Sequence, residues 1–271
     1  GPPAGAQAAG VCEKQSRKRP LAVSGRGAEE PENGLEDRAG HSHCSRCCNV
    51  RKTLRRAVMA GTLYIVATPI GNLEDMTFRC VRILKEVDLI AAEDTRHSIK
   101  LLNHFEIKTK MTSYHEYNRV EKAKVLVKQL QEGKDIALIT DAGTPGISDP
   151  GEELVRQCHE AGITVTALPG ACALINALII SGQPTRRFCF EAFLPSDKKE
   201  RKQILDSLEN ETRSIIIYEA PHRLVRTLEE LHEVLGDRSM TLCRELTKKH
   251  ESVFKSTLGE ILAYHRENPP K

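Results

Sequence analysis

One stretch limits the folds open to this chain more than any other: Thr140 to Gly151, reading Thr-Asp-Ala-Gly-Thr-Pro-Gly-Ile-Ser-Asp-Pro-Gly. The apolar run before it, Ile136-Ala137-Leu138-Ile139, is too short for a helix and reads as a buried parallel strand. After it, Leu154, Val155 and Cys158 recur at helical spacing up to Ala161-Gly162. The loop therefore joins the carboxyl end of a strand to the start of a helix, the place where open α/β sheets bind ligands. Its glycines let a ligand approach the backbone, while Asp141 and Asp149 bring charge to a surface otherwise made of peptide groups.

The same strand-loop-helix grammar recurs along the chain. Strands are expected at Thr62–Ala67, Asp88–Ala92, Met111–Tyr114, Ile136–Ile139 and Ile163–Ala167, with helical patterns between them. Strict alternation predicts a parallel five-stranded sheet with right-handed crossovers. Four loops should then open on one edge: Thr68–Asp75, Glu93–Arg96, Asp141–Asp149 and Leu168-Pro169-Gly170. None has the spacing of a dinucleotide fingerprint or a P-loop, which counts against a phosphate cradle. Ser181-Gly182-Gln183-Pro184 reads as a domain joint. Beyond it, strands at Arg187–Phe193, Ser214–Tyr218 and Thr241–Leu246 alternate with helices starting near Lys198, Arg223 and Leu258. The basic helix start Lys198-Lys199-Glu200-Arg201-Lys202 opposes the helix dipole and reads as a solvated face in preference to a phosphate contact.

Composition separates the first 58 residues from the rest. They hold 11 basic and 6 acidic side chains, leaving 29 and 31 in the remainder, so the overall +3 belongs to the leader and nucleic-acid contacts must come from local patches. Gly, Ala, Pro, Ser and charge without sustained periodicity predict a disordered leader over 1–58. The cluster His41, His43, Cys44, Cys47, Cys48 lacks a second ligand group at finger spacing, so no metal site is assigned. Acidic residues in the leader argue against an organelle transit peptide, and Met59, just before the first strand, is the expected functional start. Cys80, Cys158, Cys172, Cys189 and Cys243 lie in apolar patterns and read as free thiols of a reducing compartment. No apolar run reaches membrane-helix length; the longest, Ala171–Ile180, is broken by Asn176. Few aromatics and no Trp leave no visible base-stacking platform.

Five blocks, in order, carry a resemblance: Leu63 to Leu73 (Leu-Tyr-Ile-Val-Ala-Thr-Pro-Ile-Gly-Asn-Leu), Ala91-Ala92-Glu93-Asp94-Thr95-Arg96, Asp141-Ala142-Gly143-Thr144-Pro145, Leu168-Pro169-Gly170, and Tyr218-Glu219-Ala220-Pro221-His222-Arg223. From about Gly61 to Glu260 the chain resembles the ribosomal small-subunit methyltransferase I family of the tetrapyrrole (class III) methylase fold. The resemblance implies an α/β, two-domain tetrapyrrole methylase fold. It comprises a parallel N-terminal sheet within 59–183 and a smaller mixed C-terminal sheet within 184–271, behind the disordered leader. It implies methyl transfer from S-adenosylmethionine to the ribose 2′-hydroxyl of a cytidine in small-subunit rRNA. The partners would be that rRNA or the ribosomal subunit and a second copy of the chain, with no membrane. The compartment would be the cytoplasm, or alternatively the mitochondrion.

By the same resemblance, Asp141, Ala142, Gly143, Thr144, Pro145, Leu168, Pro169 and Gly170 would line the cofactor site, and Tyr218 and Glu219 would close it. Pro69, Gly71, Asn72, Arg96 and Arg223 would face RNA, with Arg186-Arg187 as further phosphate candidates. A ribose hydroxyl gains from a base within hydrogen-bond reach. Glu93 and Asp94 lead the candidates, ahead of His97, Glu219 and His222. The family continues past a helix like Leu258–His265 into another strand, absent here, so an open edge is expected on the second sheet. Two other functions stay open: a small-molecule, tetrapyrrole-type methylase, and a non-catalytic SAM-binding protein.

Overall fold

A computed structural model describes the backbone of Ala8–Glu13 and residues 59–269. The His41–Cys48 cluster and the rest of the leader lie outside the described residues. In chain order the elements are β1 (Ala8–Glu13), β2 (Thr62–Val66), α1 (Phe78–Glu86), β3 (Leu89–Ala92), α2 (Thr95–His104), β4 (Met111–Ser113), α3 (Arg119–Gln131), β5 (Ile136–Ile139), α4 (Gly151–Glu160) and β6 (Thr164–Leu168). There follow α5 (Ala173–Ile180), β7 (Phe188–Phe193), α6 (Lys198–Leu208), β8 (Ser214–Glu219), α7 (Leu224–Leu235), β9 (Ser239–Arg244), β10 (Ser252–Thr257) and α8 (Leu258–Glu267).

The first sheet has the order β4-β3-β5-β2-β6, and every pairing in it is parallel. All four residues of β5 are buried, as a strand covered on both faces must be. One face packs Leu63, Leu138 and Tyr114 against Leu126, Leu130 and Leu154; the other packs Val66, Ile90 and Ile139 against Leu84, Leu102 and Met76. Parallel pairing puts the carboxyl ends of β2, β3, β5 and β6 on one edge, so the four expected loops do open together.

The second sheet is mixed, with the order β10-β9-β1-β8-β7. β7 and β8 are parallel, while β1 runs antiparallel to both β8 and β9, and β10 antiparallel to β9. Two features differ from the sequence reading. β10, Ser252–Thr257, was not expected; none of its side chains is buried, which leaves little periodic signal. Nor do β8 and β9 form an edge: they are held one strand apart inside the sheet, Ala8–Glu13 pairs with both, and the edges are β10 and β7. The physical reason is that β8 and β9 are buried strands whose backbone groups need partners. Leu205, Leu208, Leu228 and Leu231 cover one face of this sheet together with Leu258 and Ile261. α5 covers the other, with Leu174, Ala177 and Leu178 against Ile216, Tyr218 and Cys243.

The stretch expected as a joint is firmly tied. Gln183 Nε2 donates to Ser239 Oγ at 3.1 Å, and Thr241 Oγ1 donates to the Ser181 carbonyl at 2.9 Å. The five cysteines expected as free thiols are free. No helix among the described residues is long and apolar enough to cross a membrane.

Candidate active site

The loops after β2 and β5 are stitched by backbone. Thr68 N–H donates to the Gly143 carbonyl at 2.9 Å, and Gly143 N–H returns the bond at 3.0 Å. Gly143 sits at φ +87, a conformation that favours glycine, and a Cβ there would come within 3.2 Å of Ile70 Cγ2. Thr68 Oγ1 adds a bond to the Thr140 carbonyl at 3.1 Å.

The loop after β3 joins the same knot through its carboxylates. Glu93 Oε2 accepts from Thr140 Oγ1 at 2.6 Å and from Asp141 N–H at 3.4 Å. Asp141 Oδ1 accepts from Asp94 N–H at 3.2 Å. Neither Glu93 nor Asp141 has an ion-pair partner among the described residues. Burial, reinforced by the Glu93 charge, pushes the Asp141 pKa up. Asp94 is employed otherwise. It is the N-cap of α2, accepting from Arg96 N–H at 2.8 Å, and pairs with the Arg96 guanidinium at 2.8 Å. The Arg96 side-chain hydrogen bonds hold its carboxyl far below the usual range. A carboxylate held so low is a poor proton acceptor and a good cap.

The far end of the β5 loop is anchored by Asp149, whose carboxylate accepts from Gly146 and Gly151 N–H at 2.8 Å each. Burial still raises its pKa despite those bonds. Tyr114 Oη donates to the Pro150 carbonyl at 3.0 Å. Sequence reasoning missed Tyr114; its only signal was an aromatic ending a weak strand. Pro145 is buried and Ala142 half-buried. Thr144 Oγ1 donates to the Ala171 carbonyl at 2.9 Å, bringing in the loop after β6. There Leu168 is buried, and Gly170 lies so close to β2 that a Cβ would stand 2.6 Å from that of Ala67. The Pro169 carbonyl faces Cys80 Sγ of α1 at 4.0 Å.

The second sheet meets these loops through α5 and Tyr218. The Tyr218 hydroxyl accepts from Leu174 N–H at 2.8 Å, and its ring packs edge-on to Phe190 at 4.9 Å. Ile70 packs against the same apolar cluster. At Gly71 a Cβ would reach Lys248 Cγ at 2.4 Å, so the tip of the first loop rests on the segment after β9. Asn72 caps the following turn by accepting from Glu74 N–H, and Pro69 is half-buried.

Glu219 and Arg223 are engaged within the second domain. Glu219 is only 3% exposed; it accepts from Thr227 Oγ1 and lies 3.9 Å from Arg201 and 3.5 Å from Arg223. Arg201, equally buried, also pairs with Glu230 at 2.6 Å. Arg223 donates to the Leu194 carbonyl at 2.8 Å. Arg201 is thus neither solvated nor free for phosphate, whereas Lys198, Lys199 and Lys202 of the same helix are exposed. Nothing in the basic run distinguished it, because its partners come from β8 and α7. Arg96, His222 and the pair Arg186-Arg187 are exposed.

Loops of a parallel sheet thus meet a second, mixed sheet, with glycine turns and carboxylates lacking ion-pair partners among the described residues where a phosphate site would carry cations. A family model described as Tetrapyrrole (Corrin/Porphyrin) Methylases matches residues 62–262. The chain is 58% identical over 212 residues to "Ribosomal RNA small subunit methyltransferase I" of Synechocystis sp., covering 78% of this chain and 76% of that protein. It is 54% identical over 207 residues to the protein of the same name from Halalkalibacterium halodurans, covering 76% and 72%. Among solved structures, uroporphyrin-III C-methyl transferase from Thermus thermophilus, complexed with S-adenyl homocysteine, shares the fold. Its TM-score is 0.52 at 20% identity, over 78% of this chain and 93% of that one. The chain belongs to the ribosomal RNA small subunit methyltransferase I family, within the tetrapyrrole methylases.

Proposed function

We propose that this protein methylates the ribose 2′-hydroxyl of a cytidine in small-subunit ribosomal RNA, with S-adenosylmethionine as donor, in the cytoplasm and as a homodimer. The observation that carries the reading is the Glu93–Thr140–Asp141 knot, where two carboxylates without ion-pair partners among the described residues accept from a hydroxyl and from backbone N–H groups of the loops after β3 and β5. The residues fit the donor. Its sulfonium and ammonium groups are cations and its carboxylate suits exposed backbone N–H groups, so an acid-lined, glycine-lined recess receives it where a phosphate cradle does not. The relatives' names supply the acceptor class, ribosomal RNA of the small subunit.

When bound, S-adenosylmethionine supplies an electrophilic methyl carbon. The chain's own work is positioning, since transfer is an in-line displacement in which the O–C bond forms as the C–S bond breaks. Asp141, Ala142, Gly143, Thr144 and Pro145 would hold the donor together with Leu168, Pro169 and Gly170. Tyr218 closes it by fixing the start of α5. Glu93 takes the proton of the ribose hydroxyl; Asp94 keeps Arg96 and the start of α2 in place. Pro69, Gly71, Asn72 and Arg96 face the RNA. Glu219 and Arg223 serve by holding the turn after β8.

Mapping of ribose methylation in small-subunit rRNA from cells with and without the protein tests the reading. Loss of one cytidine 2′-O-methyl mark is expected. An unchanged map, with S-adenosylmethionine still bound in isothermal titration, would leave a small-molecule methylase or a non-catalytic binder.

A further inference from the structure

Phe78 is 98% exposed although it opens α1 immediately after the N-cap Thr77. Phe78, Val81, Arg82 and Lys85 follow at i, i+3, i+4 and i+7, so they share one face of the helix. With Met76 and Phe105 they line an open hollow of about 600 Å³. Its lining is mostly apolar, with Arg82 and Lys85 as its cations. Glu86 also lines it but is taken up by Arg82 at 2.7 Å, and Glu74 and Asp75 of the preceding turn line none of it. Thr109 Oγ1 donates to the Leu84 carbonyl at 2.6 Å, which brings Lys108 and Lys110 beside the last turn of α1. Arg79, Lys85, Lys108 and Lys110 are exposed and have no ion-pair partner among the described residues. The opposite face of the helix is buried, and Cys80 on it abuts Pro169 of the donor-side loop.

An isolated exposed apolar residue needs no explanation. An aromatic ring beside an apolar hollow, flanked by cations without ion-pair partners among the described residues, on a helix whose other face abuts Pro169, is the arrangement that suits single-stranded nucleic acid: a ring for a base and cations for phosphates. We propose that this face of α1 docks a single-stranded segment of the substrate RNA, one base stacking on Phe78 and the flanking phosphates meeting Arg79, Lys85, Lys108 and Lys110. The proposal rests on the RNA reading above and supplies the stacking platform that a low aromatic count had concealed.

The chain contains no Trp, so Phe78→Trp introduces a single indole at the platform. Titration with a naked small-subunit rRNA fragment should quench its emission saturably, and added salt should weaken the effect. Phe78→Ala should raise KM for the RNA by about tenfold, as loss of one stacked base does, with S-adenosylmethionine affinity unchanged. A silent indole together with an unchanged KM overturns the proposal. So does a response to the assembled small subunit alone, which would put a ribosomal protein on this face. If the wild-type protein methylates no RNA, the functional reading fails separately, and the indole titration still decides whether RNA docks here.

Discussion

Two carboxylate clusters lie at strand ends of this chain, and they are kept in opposite electrostatic states. After β3 and β5, Glu93 and Asp141 face hydroxyl and backbone donors with no ion-pair partner among the described residues, only the exposed His97 lying within electrostatic reach of Asp141, and burial raises the Asp141 pKa. After β8, Glu219 is enclosed by Arg201, Arg223 and Thr227, with Arg201 passing charge on to Glu230. The second cluster is complete without a ligand. The first is incomplete, holding negative charge that a cationic donor and a proton on its way out of a hydroxyl can use. A motif match to either strand end looks the same in sequence, yet only the unneutralised one is suited to chemistry.

The largest test removes the neutralising partner. Arg201→Met should lower the unfolding free energy by about 3–5 kcal/mol, because it takes one of two guanidinium neighbours from buried Glu219 and the close partner from Glu230. Denaturant unfolding measures this, and a loss below about 1 kcal/mol would mean that Arg223 and the Thr227 hydroxyl suffice to hold Glu219. The next test asks which acid of the first cluster works. Glu93→Gln should cut turnover about a hundredfold at unchanged S-adenosylmethionine affinity, the usual loss on removing a general base. Asp94→Asn should leave turnover close to wild type, since Asn caps a helix as well as Asp does. Single-turnover methyl transfer at saturating donor separates the two, and the reverse order would exchange their roles.

The first sheet was legible because a parallel strand covered on both faces reads as a short apolar run, and Ile136–Ile139 and Leu89–Ala92 are such runs. Loop positions followed from the alternation, and the four loops do share an edge. Partner choice was not legible. Glu219 and Arg223 belong to a recognisable block, but whether a carboxylate meets a ligand or an arginine depends on what arrives from elsewhere. Arg201 comes from a different helix and Thr227 lies one turn into α7. β10 escaped because its exposed residues carry no alternation, and β1 because a six-residue strand in a Gly- and Ala-rich stretch has no periodic signal. A boundary at Ser181–Pro184 puts α5 with the first domain, yet its apolar face lies on the second sheet. Helical periodicity states that a face is buried, not against what.

The smallest test concerns Asp141 alone. Burial and the Glu93 charge raise its pKa in the folded chain above that of an unfolded aspartate. At neutral pH the folded state therefore carries an ionised group it would hold more easily protonated, and that difference subtracts from stability. Asp141→Asn removes the charge and keeps an oxygen for the Asp94 N–H, so the variant should melt slightly higher than wild type at pH 7. The sign reverses the usual expectation for an acid: as pH falls through the raised pKa, wild type takes up its proton in the folded state first, and the gap between the two melting curves should close. The same substitution should weaken S-adenosylmethionine binding, because a cation loses its counter-charge. A variant that is both more stable and poorer at binding would mark Asp141 as charge stored for the donor. A variant less stable at pH 7 would show instead that the carboxylate helps to hold the loops, and the contrast between the two clusters would fail.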